Sequence, residues 1–209
     1  MIPRIPKAKT AGGSFVELVV IVALALGLAL LVQAFLVKPY QIPSGSMEPT
    51  LDINQRILVN RFIYHFTDPK PGDVVVFHPP QGVDRGGAGE CGVPHPEDQS
   101  CPEPTAEESG DTFIKRIVAG PGDTVSIRKG LPVVNGKVVE PDGYDIRPCR
   151  GSQECNLPKK ITVPEGHFFL MGDNRGNSED SRYWGPLPED WLIGKAFATY
   201  WPPNRIGGL

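Results

Sequence analysis

Phe113-Ile114-Lys115-Arg116-Ile117-Val118 sets two cations inside a run of aromatic and β-branched residues. Along an extended strand, Phe113, Lys115 and Ile117 face one way and Ile114, Arg116 and Val118 the other. A lysine held among apolar side chains is desolvated, so its pKa falls and the neutral amine can act as a general base. The structural alternative is a lysine that snorkels from a strand edge. The full run, Thr112–Ala119, has counterparts at Arg56–Phe62, Asp73–Phe77, Thr124–Ile127, Leu131–Val139, His167–Met171 and Ile193–Trp201. Turn signals separate them. Pro-Gly-Asp occurs at 71–73 and 121–123, and Asn135-Gly136 predicts a hairpin between Val133-Val134 and Lys137-Val138-Val139. No convincing amphipathic helix occurs in this part, so antiparallel β-structure is predicted.

Upstream the pattern changes. Leu18–Val37 is an apolar run of twenty residues in which only Gln33 is polar. As a helix it spans roughly 30 Å, the thickness of a bilayer's hydrocarbon core. The alternative, a cleaved secretory signal, has a shorter apolar region. Arg4, Lys7 and Lys9 precede the run, and Lys38 alone follows it closely, which predicts a cytoplasmic N-terminus. The expected organisation is a cytoplasmic 1–14, a membrane anchor over 15–38 and an extracytoplasmic 39–209. The predicted class is therefore mostly β: a single N-terminal transmembrane helix, then an all-β domain of coiled antiparallel sheets.

The 209 residues carry 21 Lys+Arg against 24 Asp+Glu, a formal net charge of −3. Without the first 38 residues (four basic, one acidic), 17 basic remain against 23 acidic, or −6. An acidic exported part argues against a nucleic-acid partner or a polybasic lipid-headgroup surface. Residues 84–111 hold eight acids, four prolines and five glycines, which reads as a solvated insertion; a second, about 140–160, carries two of the four cysteines. Four cysteines allow three pairings. The sequential one, Cys91–Cys101 and Cys149–Cys155, is the simplest and suits an oxidising compartment. Neither pair has the tight spacing of a zinc site, so no metal is expected.

Two further stretches hold chemistry-bearing residues. In Pro43-Ser44-Gly45-Ser46-Met47-Glu48-Pro49-Thr50-Leu51, two serines flank a glycine between prolines. Such a rigid turn can expose a hydroxyl and aim backbone N–H groups at one point, the parts of a nucleophile and an oxyanion hole. Met171 to Gly185 is dense in short polar residues; Asp180 and Arg182 can pair to prop the loop, and Ser178 can hold an amine.

Taken together, the serine turn, the lysine strand, the polar loop, Pro71–Phe77 and Pro121-Gly122-Asp123 resemble the signature boxes of bacterial type I signal peptidases. That resemblance implies a membrane-bound serine endopeptidase with a Ser/Lys dyad, Ser46 as nucleophile and Lys115 as general base. It implies that Ser44 supplies a hydroxyl to the oxyanion hole, that Ser178 orients the lysine, and that Asp180 and Arg182 support it. Pocket walls for small substrate residues would include Ile42, Pro43, Met47, Leu51, Ile57, Val76, Phe113 and Ile114. The implied substrates are signal-peptide-bearing preproteins cut after Ala-x-Ala. The implied setting is the lipid of the bacterial inner membrane, with the catalytic domain periplasmic or extracytoplasmic and near the Sec translocon, and no cofactor is implied. The chain departs from the family pattern at Gly176, Asn54-Gln55 and Ala119-Gly120, none a dyad position. Competing expectations are a same-clan peptidase maturing one dedicated substrate, and an inactive anchored β-domain that binds exported proteins.

Overall fold

The computed structural model describes residues 11–83 and 90–209, without the side chains of 11–14 and 31–35. Arg4, Lys7 and Lys9, read as cytoplasmic, lie outside the described residues, as do residues 84–89 of the first insertion. Helix α1 (Ala11–Phe35) leads directly into strand β1 (Val37–Gln41). Among the described residues no helix is long and apolar enough to cross a membrane. The side chains described in α1 run from Phe15 to Leu30, whereas the apolar run of the sequence continues to Val37.

Beyond α1 the chain is mostly β, folded as two curled antiparallel sheets. Further strands are β2 (Arg56–Asn60), β3 (Val74–Phe77), β4 (Phe113–Ala119), β5 (Thr124–Arg128), β6 (Leu131–Val134), β7 (Lys137–Val138) and β8 (Leu157–Thr162). Then come β9 (His167–Met171), the single-turn helix α2 (Ser181–Trp184), β10 (Leu187–Pro188), β11 (Leu192–Trp201) and β12 (Gly207–Gly208). The larger sheet has the order β1-β2-β11-β3-β4-β9-β10, with β12 on β11; the smaller is β7-β6-β5-β8. The β6–β7 hairpin turns at Asn135 and Gly136, both at positive φ, as a two-residue turn of this hand requires.

Val74-Val75-Val76-Phe77 is apolar throughout because β3 is covered on both faces. Val74 and Val76 join Ile42, Met47, Leu51, Ile57 and Ile114 in one core cluster. Val75 and Phe77 join Ile117, Leu170 and Trp184 in another. A third cluster, including Val118, Val125, Ile127, Ile161 and Met171, lies between the two sheets. Strand β4 runs between β3 and β9, with Lys115 opposite Val75 and Arg116 opposite both Val74 and Met171. The lysine strand is thus central to the larger sheet, where water cannot reach it from an edge.

Four strands were absent from the sequence reading: the two-residue β10 and β12, and the longer β1 and β8. In β1, Lys38 was read as the end of the anchor and no strand was read over 39–41; in β8, Pro158-Lys159-Lys160 read as loop. Both β1 and β8 lie at sheet edges, where proline removes no needed ladder bond and lysines face water. Strand β8 begins at Leu157, inside the range 140–160 read as an insertion. Residues 90–111 are less solvated than their composition predicted. Ser100 and Cys101 are fully buried, and the Cys101 N–H donates to the Arg182 carbonyl at 3.1 Å. Disulfides join Cys91 to Cys101 and Cys149 to Cys155.

Candidate active site

Ser46 sits in a 3-10 turn, Gly45–Met47, that follows β1. The turn carries Ser46 to the end of the Lys115 side chain, with Nζ and Ser46 Oγ hydrogen-bonded at 2.9 Å. The amine also donates to the Ile114 carbonyl at 3.1 Å. Lys115 is 3% exposed. Burial pulls its pKa from an ordinary 10.5 down to about 8, against the opposing pull of the Asp180 and Glu179 charges. Ser44 Oγ lies 3.4 Å from Ser46 Oγ, so the two hydroxyls of the turn face the same point.

The turn is fixed from behind. The Asn174 N–H donates to the Ser46 carbonyl and Asn174 Nδ2 to the Gly45 carbonyl, both at 3.0 Å. The preceding Asp173 receives Arg116 at 3.0 and 2.7 Å and the Thr50 hydroxyl at 2.6 Å. Arg116 also lies 3.7 Å above the Tyr144 ring. Adjacent cations on β4 therefore serve different ends, Lys115 meeting the serine and Arg116 holding the loop behind it. Asn174 and Asp173 were not singled out in the sequence. Their signal was the turn chemistry of Gly172-Asp173-Asn174, inside a stretch already quoted.

Ser178 donates to Asp180 at 2.8 Å. Among the described residues it makes no hydrogen bond to Lys115, so it lines the lysine's cleft while being tied to the acid. Asp180 and Arg182 form a two-pronged ion pair at 2.8 and 2.9 Å, and Arg182 reaches the Ser178 carbonyl at 3.2 Å. Burial alone would raise the Asp180 carboxyl, but Arg182 and the hydrogen bonds from Gly172 and Ser178 outweigh it and hold the pKa below the usual range. The same pair raises Arg182 against its own burial. Gly172 passes so close that a β-carbon there would collide with Ser178 Oγ and the Ser46 carbonyl. Gly176, one departure from the family pattern, has ordinary clearance to Cys149.

Ser46 and Lys115 line an open cleft of about 420 Å³. Of the eight expected wall residues, Pro43, Val76, Phe113 and Ile114 line it. The other four, Ile42, Met47, Leu51 and Ile57, do not: they are at most 2% exposed and pack in the core behind the wall. Apolar character alone did not separate a wall from the packing behind it. Tyr40, Gln41, Thr112, Asn177 and Glu179 line the cleft without having been foreseen.

A hydroxyl bonded to a desolvated amine, at the floor of an open cleft and on a turn braced from behind, has the parts of a serine hydrolase. The family model described as signal peptidase, peptidase S26, matches residues 15–201. The chain belongs to that family and is a serine peptidase. It is 37% identical over 193 residues to the probable signal peptidase I-1 of Synechocystis sp., covering 92% of this chain and 86% of that one. The signal peptidase I of Leptolyngbya laminosa is 33% identical over 213 residues, 99% of this chain and 93% of the relative. That of Pseudomonas aeruginosa is 33% identical over 229 residues, 87% and 72% of the two chains.

Proposed function

We propose that this signal peptidase cuts preproteins after Ala-x-Ala with Ser46 as nucleophile and Lys115 as general base. The observation that carries the reading is the 2.9 Å bond between Lys115 Nζ and Ser46 Oγ, made by an amine whose burial lowers its pKa to about 8. A neutral amine takes the hydroxyl proton as Ser46 attacks the carbonyl carbon. The tetrahedral oxyanion is held by the Ser46 N–H and the Ser44 hydroxyl, each such donor contributing about 3 kcal/mol. Protonated Lys115 then gives its proton to the leaving amine, and the acyl-enzyme is hydrolysed by water that Lys115 activates in turn. Asp180 and Arg182 keep Ser178 and the loop in place. Asp180 also offsets part of the burial that depresses the lysine, and Arg182 pulls the other way.

In this reading the apolar run Leu18–Val37, most of which lies in α1, is a single-pass anchor with a cytoplasmic N-terminus, and the β-domain works outside the membrane beside the translocon. The apolar run Leu18–Val37 and the outward-facing residues of α1, from Phe15 at 68% to Leu30 at 65% exposed, support it. Anchoring holds the enzyme at the surface where signal peptides lie, which raises their effective concentration. The test is cleavage of a preprotein by the detergent-solubilised full chain, read by product size and N-terminus. Wild type is expected to cut after Ala-x-Ala, and Ser46→Ala and Lys115→Ala to lose turnover. A Lys115→Ala enzyme that cuts normally means the base is another group.

A further inference from the structure

Among the described residues that line the cleft, two carry a formal charge at neutral pH, Lys115 and Glu179. A lysine acting as base is neutral, which leaves the Glu179 carboxylate as the one charge that the described residues of the cleft turn to substrate. Glu179 makes no ion pair and no hydrogen bond to any described residue. Its neighbours on either side are fixed: Ser178 and Asp180 bond to each other, and Arg182 grips both. The carboxylate is therefore presented from an anchored backbone, half-buried, in no ion pair with a described residue. For the chemistry it is a hindrance, since its charge favours the protonated lysine. An unpaired acid that works against the base calls for a use at the substrate.

We propose that Glu179 is a specificity-determining residue whose carboxylate selects lysine or arginine over aspartate or glutamate at one substrate position beside the scissile bond. The inference rests on the Ser46/Lys115 reading above. Near a partly solvated cleft wall the attraction of one unit charge for another is modest and screened by salt. A preference of about fivefold to tenfold between oppositely charged substrates is the expected scale.

The test uses the solubilised full chain and a preprotein with an Ala-x-Ala site. Each residue flanking the cut is changed in turn to Lys, Gln and Asp, and kcat/KM is compared within each enzyme, so that a general loss of activity cancels from the ratio. Wild type is expected to prefer Lys over Asp at one position, and 1 M salt to erase the preference. Glu179→Gln is expected to bring the ratio near one and Glu179→Lys to invert it. A wild-type ratio near one at every position, or one profile shared by all three enzymes, overturns the proposal while leaving the dyad standing. A wild type that leaves the whole series uncut, or a Ser46→Ala enzyme that cuts it, brings down the underlying reading and this inference with it.

Discussion

Replacing Lys115 by methionine removes the base, yet it is expected to make the folded protein more stable. The side chain is nearly inaccessible, and its pKa drops from 10.5 to about 8 on folding. In the window between those values the unfolded chain binds more protons than the folded one, so stability rises with pH there. Below about pH 8 both states are protonated and the full penalty of burying the charge applies, about 3 kcal/mol. By pH 10 the folded lysine is neutral and the penalty has shrunk to about 1 kcal/mol. Methionine has similar volume and pays none of it. Its cost is the lost bonds to Ser46 Oγ and the Ile114 carbonyl, about 2 kcal/mol together. The difference at pH 6 is about 1 kcal/mol in favour of the variant, or a rise in Tm of about 2–4 °C for a domain of this size. The assay is thermal unfolding of both full-length proteins in one detergent, by near-ultraviolet circular dichroism, at pH 6 and pH 10. At pH 10 the advantage should be gone. A variant less stable than wild type at pH 6, or a Tm gap independent of pH, refutes the claim that the lysine is held at a stability cost.

Two more outcomes are expected. The kcat/KM of wild type should climb with pH through about 8 and then level, because the neutral amine is the working form and burial lowers its pKa; a flat profile from pH 6 to 9 would count against a lysine base. Asn174→Ala removes the Nδ2 bond to Gly45 and leaves the backbone bond to Ser46. It should lower kcat by about tenfold to a hundredfold through misplacement of the nucleophile, with little change in KM; an equal loss carried by KM would place Asn174 in substrate binding instead.

The β-architecture was legible where strands are buried. His167–Met171 was read with its observed limits, and the Asn135-Gly136 hairpin with its turn. The edge strands β1 and β8 escaped because their outward residues obey solubility rather than packing, so Lys-Pro and Pro-Lys-Lys do not look like strand. The candidate site was legible in part. Residue types marked the serine turn and Lys115, and the resemblance of the combined segments to signal peptidases chose Ser46 over Ser44, while which apolar residues face the cleft is a matter of side-chain direction in three dimensions. Ile57 and Val76 are chemically alike, and one lies in the core where the other lines the cleft.

By itself, then, the sequence determined that the chain is β-rich behind an apolar segment, and which serine turn and which amine are candidates for chemistry. Alternation already sent Lys115 and Arg116 to opposite sides of one strand. Only the tertiary structure decided what each would meet there. Antiparallel pairing of β4 between β3 and β9 takes Lys115 out of water, and the turn after β1, braced by Asn174, brings Ser46 to 2.9 Å from its amine. The 69 residues between them in the chain carry no distance. Packing supplies it, and the desolvation that comes with packing makes the lysine a base.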